Sequence, residues 1–291
     1  MSRTVPFKQV DVFTSTPYKG NPVAIVNCWD LDESTIEQST LQSIAVWTNL
    51  SETTFLFKPT NEKCDYKVRI FTPKAELEFA GHPTLGTCHA YLEFSGRKNV
   101  EKIYQECALG AVELTIKDKK LSFKGVKTDV VSISSDLTQE YTKCVTAPLV
   151  TEPILAEVGP HWVVALVEDN KTCFDMEIDY ELMTKVAAKH GTTGMIIAGK
   201  FPDSEKYEMR AFAPAAGVVE DPVCGSGALA LARYLQEVKK FDSSYEFEIS
   251  QGGRLGRQGE IKAAITHSEG SIGYHIGGQC ISVVNNGEFL I

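Results

Sequence analysis

The chain has 291 residues, enough for about two domains, and its 43% hydrophobic content can fill their cores. Its formal net charge is −9 and its lysines and arginines are scattered, so it lacks the basic surface with which proteins bind nucleic acid. The longest uninterrupted apolar run, Trp162 to Val167, is far shorter than the ~18 residues of a membrane span. We therefore expect a globular protein with neither nucleic acid nor membrane as a partner.

The first residues and the cysteines indicate a reducing compartment. The stretch "MSRTVPFKQVDVF" lacks the apolar core of a secretory signal, so the expected location is cytoplasmic. The chain has 8 cysteines, but the closest pair is Cys88 and Cys107, and no C-x-x-C motif occurs. We expect reduced thiols, mostly buried as small apolar side chains, and no metal site.

The predicted elements alternate between strands and helices. The apolar strand "VAIV" is followed by "LDESTIEQSTLQSIAVW", in which Ile36, Leu41 and Ile44 recur at near-helical spacing. The β-branched and aromatic "TTFLF" and the segment "YKVRIFTP", closed by a proline, are typical of strands. A glycine turn then leads into a second helix, "TLGTCHAYLEF". This order favours an α/β (α+β) fold.

The same order recurs about 141 residues later with related sequence. The matching segments are "VAIV" and "VALV", "NLSETTFL" and "HGTTGMII", and "RIFTPKA" and "RAFAPAA". A three-residue insertion then aligns "AGHPTLGTCHAYL" with "CGSGALALARYL", which pairs Ala80 with Cys224 and His82 with Ser226. We infer two homologous domains, residues 1–126 and 127–291, each a curved sheet wrapped on a central helix.

Each half has a glycine-rich turn at the start of its second helix. The first turn of a helix has free backbone N–H groups and a partial positive charge, which attract a carboxylate or a phosphate. The segment "CGSGAL" lacks the third glycine of a dinucleotide-binding motif and the lysine of a P-loop. A small carboxylic acid, held where the two turns face each other over a cleft, is therefore the predicted ligand.

Polar residues beside these turns differ between the halves. Glu52 aligns with Thr193, and Asp221 comes three residues before Cys224 in an E-D-P turn. Glu52, His82 and Asp221 together offer two carboxyl groups and an imidazole, which are suited to proton transfer. Local sequence leaves other roles open, since Glu52 can be a surface carboxylate and the other two can cap helices.

Several segments resemble, in order, the phenazine-biosynthesis-like PhzF family. They are "VDVFTSTPYKGNPVAIV", "LSETTFLF", "RIFTPKAELEFAGHPTLGT", "RAFAPAAGVVEDPVCGSGA" and "QGGRLGRQG". The chain is similar to a fungal member of that family described as a probable isomerase. The resemblance implies a diaminopimelate-epimerase-like fold, two pseudo-symmetric domains with the site between them, and a homodimer.

The resemblance also implies a mechanism. In the family, a glutamate of an S-E motif shuttles a proton within a cyclohexadiene carboxylic acid, assisted by the histidine of G-H-P and the aspartate of E-D-P, without a cofactor. The matching catalytic residues here are Glu52, His82 and Asp221, and those implied to cradle the substrate's carboxylate are Gly81, Gly225 and Ser226.

Related epimerases use two cysteines, one at each helix start, and this chain has only one of them. Cys224 stands at one such position, whereas its counterpart Ala80 has no ionisable group. Cys224 is therefore expected to contact the ligand rather than to act as an acid or base. The sequence predicts a cofactor-independent isomerase, with a non-catalytic acid-binding protein and a racemase that uses Cys224 as alternatives.

Overall fold

The computed structural model describes residues 3–268 and 270–291. The chain forms two compact units, of which the first runs to Phe123 and resumes at Gly277, and the second is Lys124–Ile276. The predicted domains, 1–126 and 127–291, differ from these units in the last segment of the chain. That segment, Cys280–Leu290, pairs antiparallel with Thr4–Val12, so its backbone hydrogen bonds are made in the first unit.

The helices and strands are numbered in chain order. Up to the unit boundary they are β1 (Thr4–Val12), β2 (Asn21–Asn27), α1 (Gln38–Thr48), β3 (Thr53–Phe57), β4 (Tyr66–Phe71), β5 (Glu76–Leu77), α2 (Gly81–Ser95), β6 (Lys102–Cys107), β7 (Gly110–Lys117) and β8 (Lys120–Lys124). They continue as β9 (Asp129–Val131), α3 (Ser135–Thr142), β10 (Ile154–Glu157), β11 (His161–Leu166), α4 (Asn170–Asp175), α5 (Tyr180–His190), β12 (Gly194–Lys200), β13 (Lys206–Ala213), β14 (Val218–Asp221), α6 (Gly225–Lys239), β15 (Tyr245–Gln251), β16 (Gly259–Ser268), β17 (Ser271–Gly278) and β18 (Cys280–Leu290).

The sheet of the first unit lies between two helices. Its strand order is β18-β1-β2-β3-β4-β6-β7-β8, with parallel pairs at β2–β3 and β4–β6 and with β5 against β4. Helix α2 packs against β1, β2 and β3, and most of its first three turns are buried. Helix α1 covers Phe55 and Phe57 with Leu41 and Ile44. Because β3 is covered on both faces, all five of its residues are buried and its sequence lacks polar alternation.

The second unit repeats this arrangement of elements. Its strand order is β9-β10-β11-β12-β13-β15-β16, with parallel pairs at β11–β12 and β13–β15 and with β14 against β13. Helix α6 packs against β10, β11 and β12, as well as β16. A separate cluster joins α3, α4 and α5 to the sheet, where Met183 and Val186 pack with Ile197. None of the described helices is long and apolar enough to cross a membrane.

The repeat holds, but its offset is not constant. Helices α2 and α6 both have 15 residues and begin at positions that the three-residue insertion aligned. Helices α1 and α5 are offset by one residue more than the predicted 141. Their left-handed C-caps, Asn49 and Gly191, show this offset. The counterpart of Glu52 is therefore Gly194, and the predicted pairing with Thr193 is wrong. Loops of unequal length shift the register between elements.

Candidate active site

Helix α2 begins without a side-chain cap. Its N-cap residue, Ala80, has extended backbone and no hydroxyl or carboxyl to accept the free N–H groups of the first turn. Gly81 follows, and a Cβ there would lie 2.6 Å from Cζ of Phe123, so only glycine fits against the ring without a shift. The backbone N–H groups at this helix start are the predicted cradle for an acid.

Glu52 lies at this helix start, where β3 begins. Its Oε2 is 3.4 Å from Nε2 of His82, and the side chains are 15% and 8% exposed, respectively. Two features of the fold bring them together. The parallel pairing of β2 with β3 places the backbone of Glu52 beside Ala24, and α2 returns across the same strands. Glu52 is thus a largely buried carboxylate next to an imidazole rather than a solvated surface group.

Burial makes the neutral form of His82 the stable one. Desolvation lowers the pKa of the imidazole to about 4, against the smaller raising effect of a hydrogen bond to the backbone of Pro22. Since proline has no N–H, the ring donates to the carbonyl oxygen. Because the neutral ring gives its one N–H to Pro22, its Nε2 faces Glu52 as an acceptor and can take a hydrogen bond from the protonated carboxyl. His82 lies inside the first turn of α2 and does not cap it, so the capping alternative is wrong.

This buried imidazole predicts a loss of stability in acid. Its pKa is lowered in the folded state, so between about pH 6.5 and about pH 4 the unfolded chain binds a proton that the folded protein does not bind. The free energy of unfolding should fall by about 2–3 kcal/mol over this range because of this group alone. Urea unfolding at several pH values should show a smaller decrease for His82→Gln than for the wild type.

His161 supplies the control for that measurement. Its side chain is 43% exposed and contacts Glu157 on the surface of the second unit. His161→Gln should leave the pH dependence of the unfolding free energy close to that of the wild type. Equal pH dependence in the wild type and His82→Gln would contradict the assignment of a buried neutral imidazole.

Helix α6 begins at a thiol. Cys224 is its N-cap, and Sγ accepts the N–H of Gly227 at 3.2 Å and lies 3.5 Å from Oγ of Ser226. Ser226 also accepts the indole N–H of Trp162 at 3.1 Å. Gly225 is buried in the first turn. The thiol therefore takes the capping role usually held by serine or aspartate, and the alternative in which Asp221 caps this helix is wrong.

Asp221 lies at the end of β14, just before this helix start. Its Oδ1 accepts the N–H of Val223 at 3.0 Å. Burial raises the pKa of the carboxyl to about 6, and hydrogen bonds from Val223 and from the Cys224 side chain oppose this effect. A carboxyl with a pKa near neutrality can take up or release a proton in the cell, which suits acid–base work.

Sequence reasoning missed the side chains that hold this second helix start. Gln251 accepts the N–H of Cys224 at 2.9 Å and donates to the carbonyl of Asp221 at 2.7 Å. The indole N–H of Trp162 bonds Ser226 as described above. Gln251 opens the motif "QGGRLGRQG", but nothing in the motif shows that its side chain reaches back to a turn nearly 30 residues earlier.

The structure groups the predicted residues within each unit. Gly81, His82 and Glu52 lie together in the first unit, and the second unit groups Asp221 with the start of α6, which contains Cys224, Gly225 and Ser226. That both groups serve one ligand stays a prediction. Over residues 3–268 and 270–291, no set of three His, Cys, Asp or Glu side chains is placed to hold a metal ion.

Comparison with solved structures identifies the fold. A PhzF-family phenazine biosynthesis protein of Bacillus anthracis superposes with a TM-score of 0.80 at 22% identity, covering 99% of each chain. A hydroxyproline epimerase of Agrobacterium vitis superposes with a TM-score of 0.63 at 13% identity, covering 99% of this chain and 92% of the other. The predicted diaminopimelate-epimerase-like α+β fold is thereby confirmed.

Sequence relatives then identify the family. The chain is 38% identical to Antisense-enhancing sequence 1 of Schizosaccharomyces pombe over 98% of both chains. It is 31% identical to trans-2,3-dihydro-3-hydroxyanthranilate isomerase of Pseudomonas chlororaphis, covering 85% of this chain and 86% of the relative. The family model for phenazine biosynthesis-like proteins, PhzC-PhzF, matches residues 10–286. The chain belongs to this family and is an isomerase of the PhzF type.

Proposed function

We propose that this enzyme moves a proton within a small carboxylic acid without a cofactor, and that Glu52 is the group that carries the proton. One observation supports the proposal above all others. The carboxylate of Glu52 is largely buried at the uncapped start of α2 and lies 3.4 Å from an imidazole that burial keeps neutral. Such a carboxyl can remove a proton from one carbon and return it to another.

In the proposed reaction the glutamate acts first as base and then as acid. Ionised Glu52 removes a C–H proton of the substrate, and the electron pair left behind moves into the conjugated system. Protonated Glu52 then gives the proton to a second carbon, so the carboxylate is regenerated and the atoms balance. His82, neutral and donating to Pro22, presents its other ring nitrogen to the carboxyl as an acceptor, which favours the protonated form of Glu52 between the two steps.

The substrate's own carboxylate is proposed to bind the backbone N–H groups at the helix starts. Gly81 provides such a group in the first unit, and Gly225 and Ser226 provide them in the second. We further propose that Asp221 exchanges a proton with a polar group of the substrate, a task that its pKa of about 6 favours.

The homodimer implied by the family stays a prediction, which light scattering after size exclusion checks.

Solvent exchange tests the proposal. The dialysed protein is incubated in deuterated water with trans-2,3-dihydro-3-hydroxyanthranilate, the compound in the name of the Pseudomonas chlororaphis relative. The small acids that co-purify with the protein, identified by mass spectrometry, are tested in parallel. We expect deuterium at a carbon of one of these acids and an isomerised product. Binding without exchange at any pH would favour a non-catalytic acid-binding protein instead.

A further inference from the structure

Gln251 joins the two ends of the turn that precedes α6. The residue ends β15 and is only 2% exposed. Its Oε1 accepts the N–H of Cys224 at 2.9 Å, and its Nε2 donates to the carbonyl oxygen of Asp221 at 2.7 Å. One planar amide thus holds both the first and the last residue of the turn. Both polar atoms of a buried side chain are satisfied by this single segment.

The fold does not require this contact. Tyr66 in β4 and Tyr207 in β13 are equivalent positions of the repeat. Tyr66 pairs with Gln105 in β6 and Tyr207 pairs with Ile249 in β15, so β6 and β15 correspond residue by residue. The position of Gln251 in β15 is therefore that of Cys107 in β6. The thiol of Cys107 donates within its own hairpin, to the carbonyl of Gly110 at 3.4 Å. The first unit forms the same helix start with a cysteine at this position.

The contact acts on the backbone from which the Asp221 side chain projects. The Asp221 carboxylate is held on its other side by the N–H of Val223 at 3.0 Å. The same segment is packed closely against the loop after β15, since a Cβ on Gly252 would lie 2.3 Å from the carbonyl oxygen of Pro222. The turn therefore has little freedom while Gln251 is in place. Without this amide, both hydrogen bonds from the β15 side chain to the turn would be lost.

We propose that Gln251 is a positioning residue of the reaction, which fixes the direction of the Asp221 carboxyl by closing the turn between Asp221 and Cys224. The inference rests on the proposed function of Asp221 as a proton-exchanging group. The fold itself does not need this side chain, because the first unit forms its helix start with Cys107 at the equivalent position.

Titration of Asp221 tests the inference without any substrate. Carbon-13 NMR of labelled aspartate carboxyls is followed against pH in the full-length protein, with Asp221→Asn used to assign the signal. Gln251→Met keeps the volume of the side chain but removes both hydrogen bonds. We expect the turn to open and water to reach the carboxyl, so that the pKa of Asp221 falls from about 6 towards its ordinary 3.8. An unchanged pKa in this variant would overturn the inference.

Two further variants keep the test decisive. Gln236 is a buried glutamine near the far end of α6 and donates to the carbonyl of Phe241 at 3.1 Å. Gln236→Met therefore loses a comparable buried amide, and it should leave the Asp221 titration unchanged. A shift as large as that of Gln251→Met would overturn the inference, because it would show a general loosening of the unit.

Gln251→Asn covers the case in which Gln251→Met does not fold. Asparagine keeps a polar amide and adds no charge, but it is one methylene shorter and cannot span from the N–H of Cys224 to the carbonyl of Asp221. The pKa of Asp221 should then fall as in Gln251→Met, and an unchanged pKa would overturn the proposal. Since no variant is judged by turnover, failure of the proposed isomerase reaction would be recognised separately in the solvent-exchange experiment.

Discussion

Glu52→Gln should lower the rate of solvent exchange by about 10²–10⁴-fold, the usual contribution of one acid–base group. The amide keeps the shape of the side chain beside His82, but it cannot take up a proton from carbon. The substrate still binds, so KM should change little while kcat falls. Deuterium incorporation measured by mass spectrometry over a range of substrate concentrations separates the two constants.

Two other variants serve as controls for the Glu52→Gln result. Glu33→Gln removes a carboxylate of the same unit that pairs with Lys67 at 2.7 Å, and it should retain the exchange rate. Cys224→Ser keeps a good N-cap for α6 but removes the thiol, and it should retain exchange with a change in KM at most. If Cys224→Ser abolished exchange while Glu52→Gln did not, the hypothesis of a thiol-dependent racemase would be supported instead.

Arg210→Met should destabilise the second unit by about 3–5 kcal/mol, because it leaves a buried carboxylate without its cation. Arg210 and Glu220 are 2% and 7% exposed and form a two-pronged pair with both N–O distances at 2.9 Å. The guanidinium also donates to the carbonyl oxygens of Met176 and Cys173. Urea unfolding followed by tryptophan fluorescence measures the change in the free energy of unfolding.

The repeat supplies a matched control for this pair. Arg69 holds Glu76 in the same way in the first unit, with N–O distances of 2.7 and 2.8 Å, but the side chains are 18% and 25% exposed. Water solvates the partner left behind, so Arg69→Met should cost only about 1 kcal/mol. In Arg210→Met with Glu220→Gln, part of the loss should be recovered because no buried charge remains. Equal costs for the two arginines would contradict the assignment of a buried pair.

The start of α6 shows how far sequence reasoning reaches into the site. The glycine-rich turn and the helix after it were predicted from "CGSGALALARYL", and the helix begins at the predicted glycine. The capping role of Cys224 was not predicted, because a thiol is a rare N-cap and the local sequence offered Asp221 instead. The role of Gln251 was not predicted either, since it depends on where β15 ends beside β14.

The register of the repeat shows a second limit. The segments around Arg69 and Arg210 correspond as the sequence alignment predicts, and both arginines bind a glutamate on the next strand. At Glu52 the alignment was wrong by one residue, because short matches cannot place a gap inside a loop. The conclusion drawn from it still holds, since the structural counterpart, Gly194, also lacks a carboxylate.

The amino-acid order alone was sufficient for the recurring strands and the two main helices of each half, the duplication and the two glycine-rich helix starts. These features depend on side-chain periodicity and on backbone groups within about ten residues, which a linear pattern records. The contact of Glu52 with His82 and the return of β18 to the first unit were decided in three dimensions. Strand register and the packing of α2 bring together residues far apart in the chain, and the same packing removes the water that sets the pKa of His82.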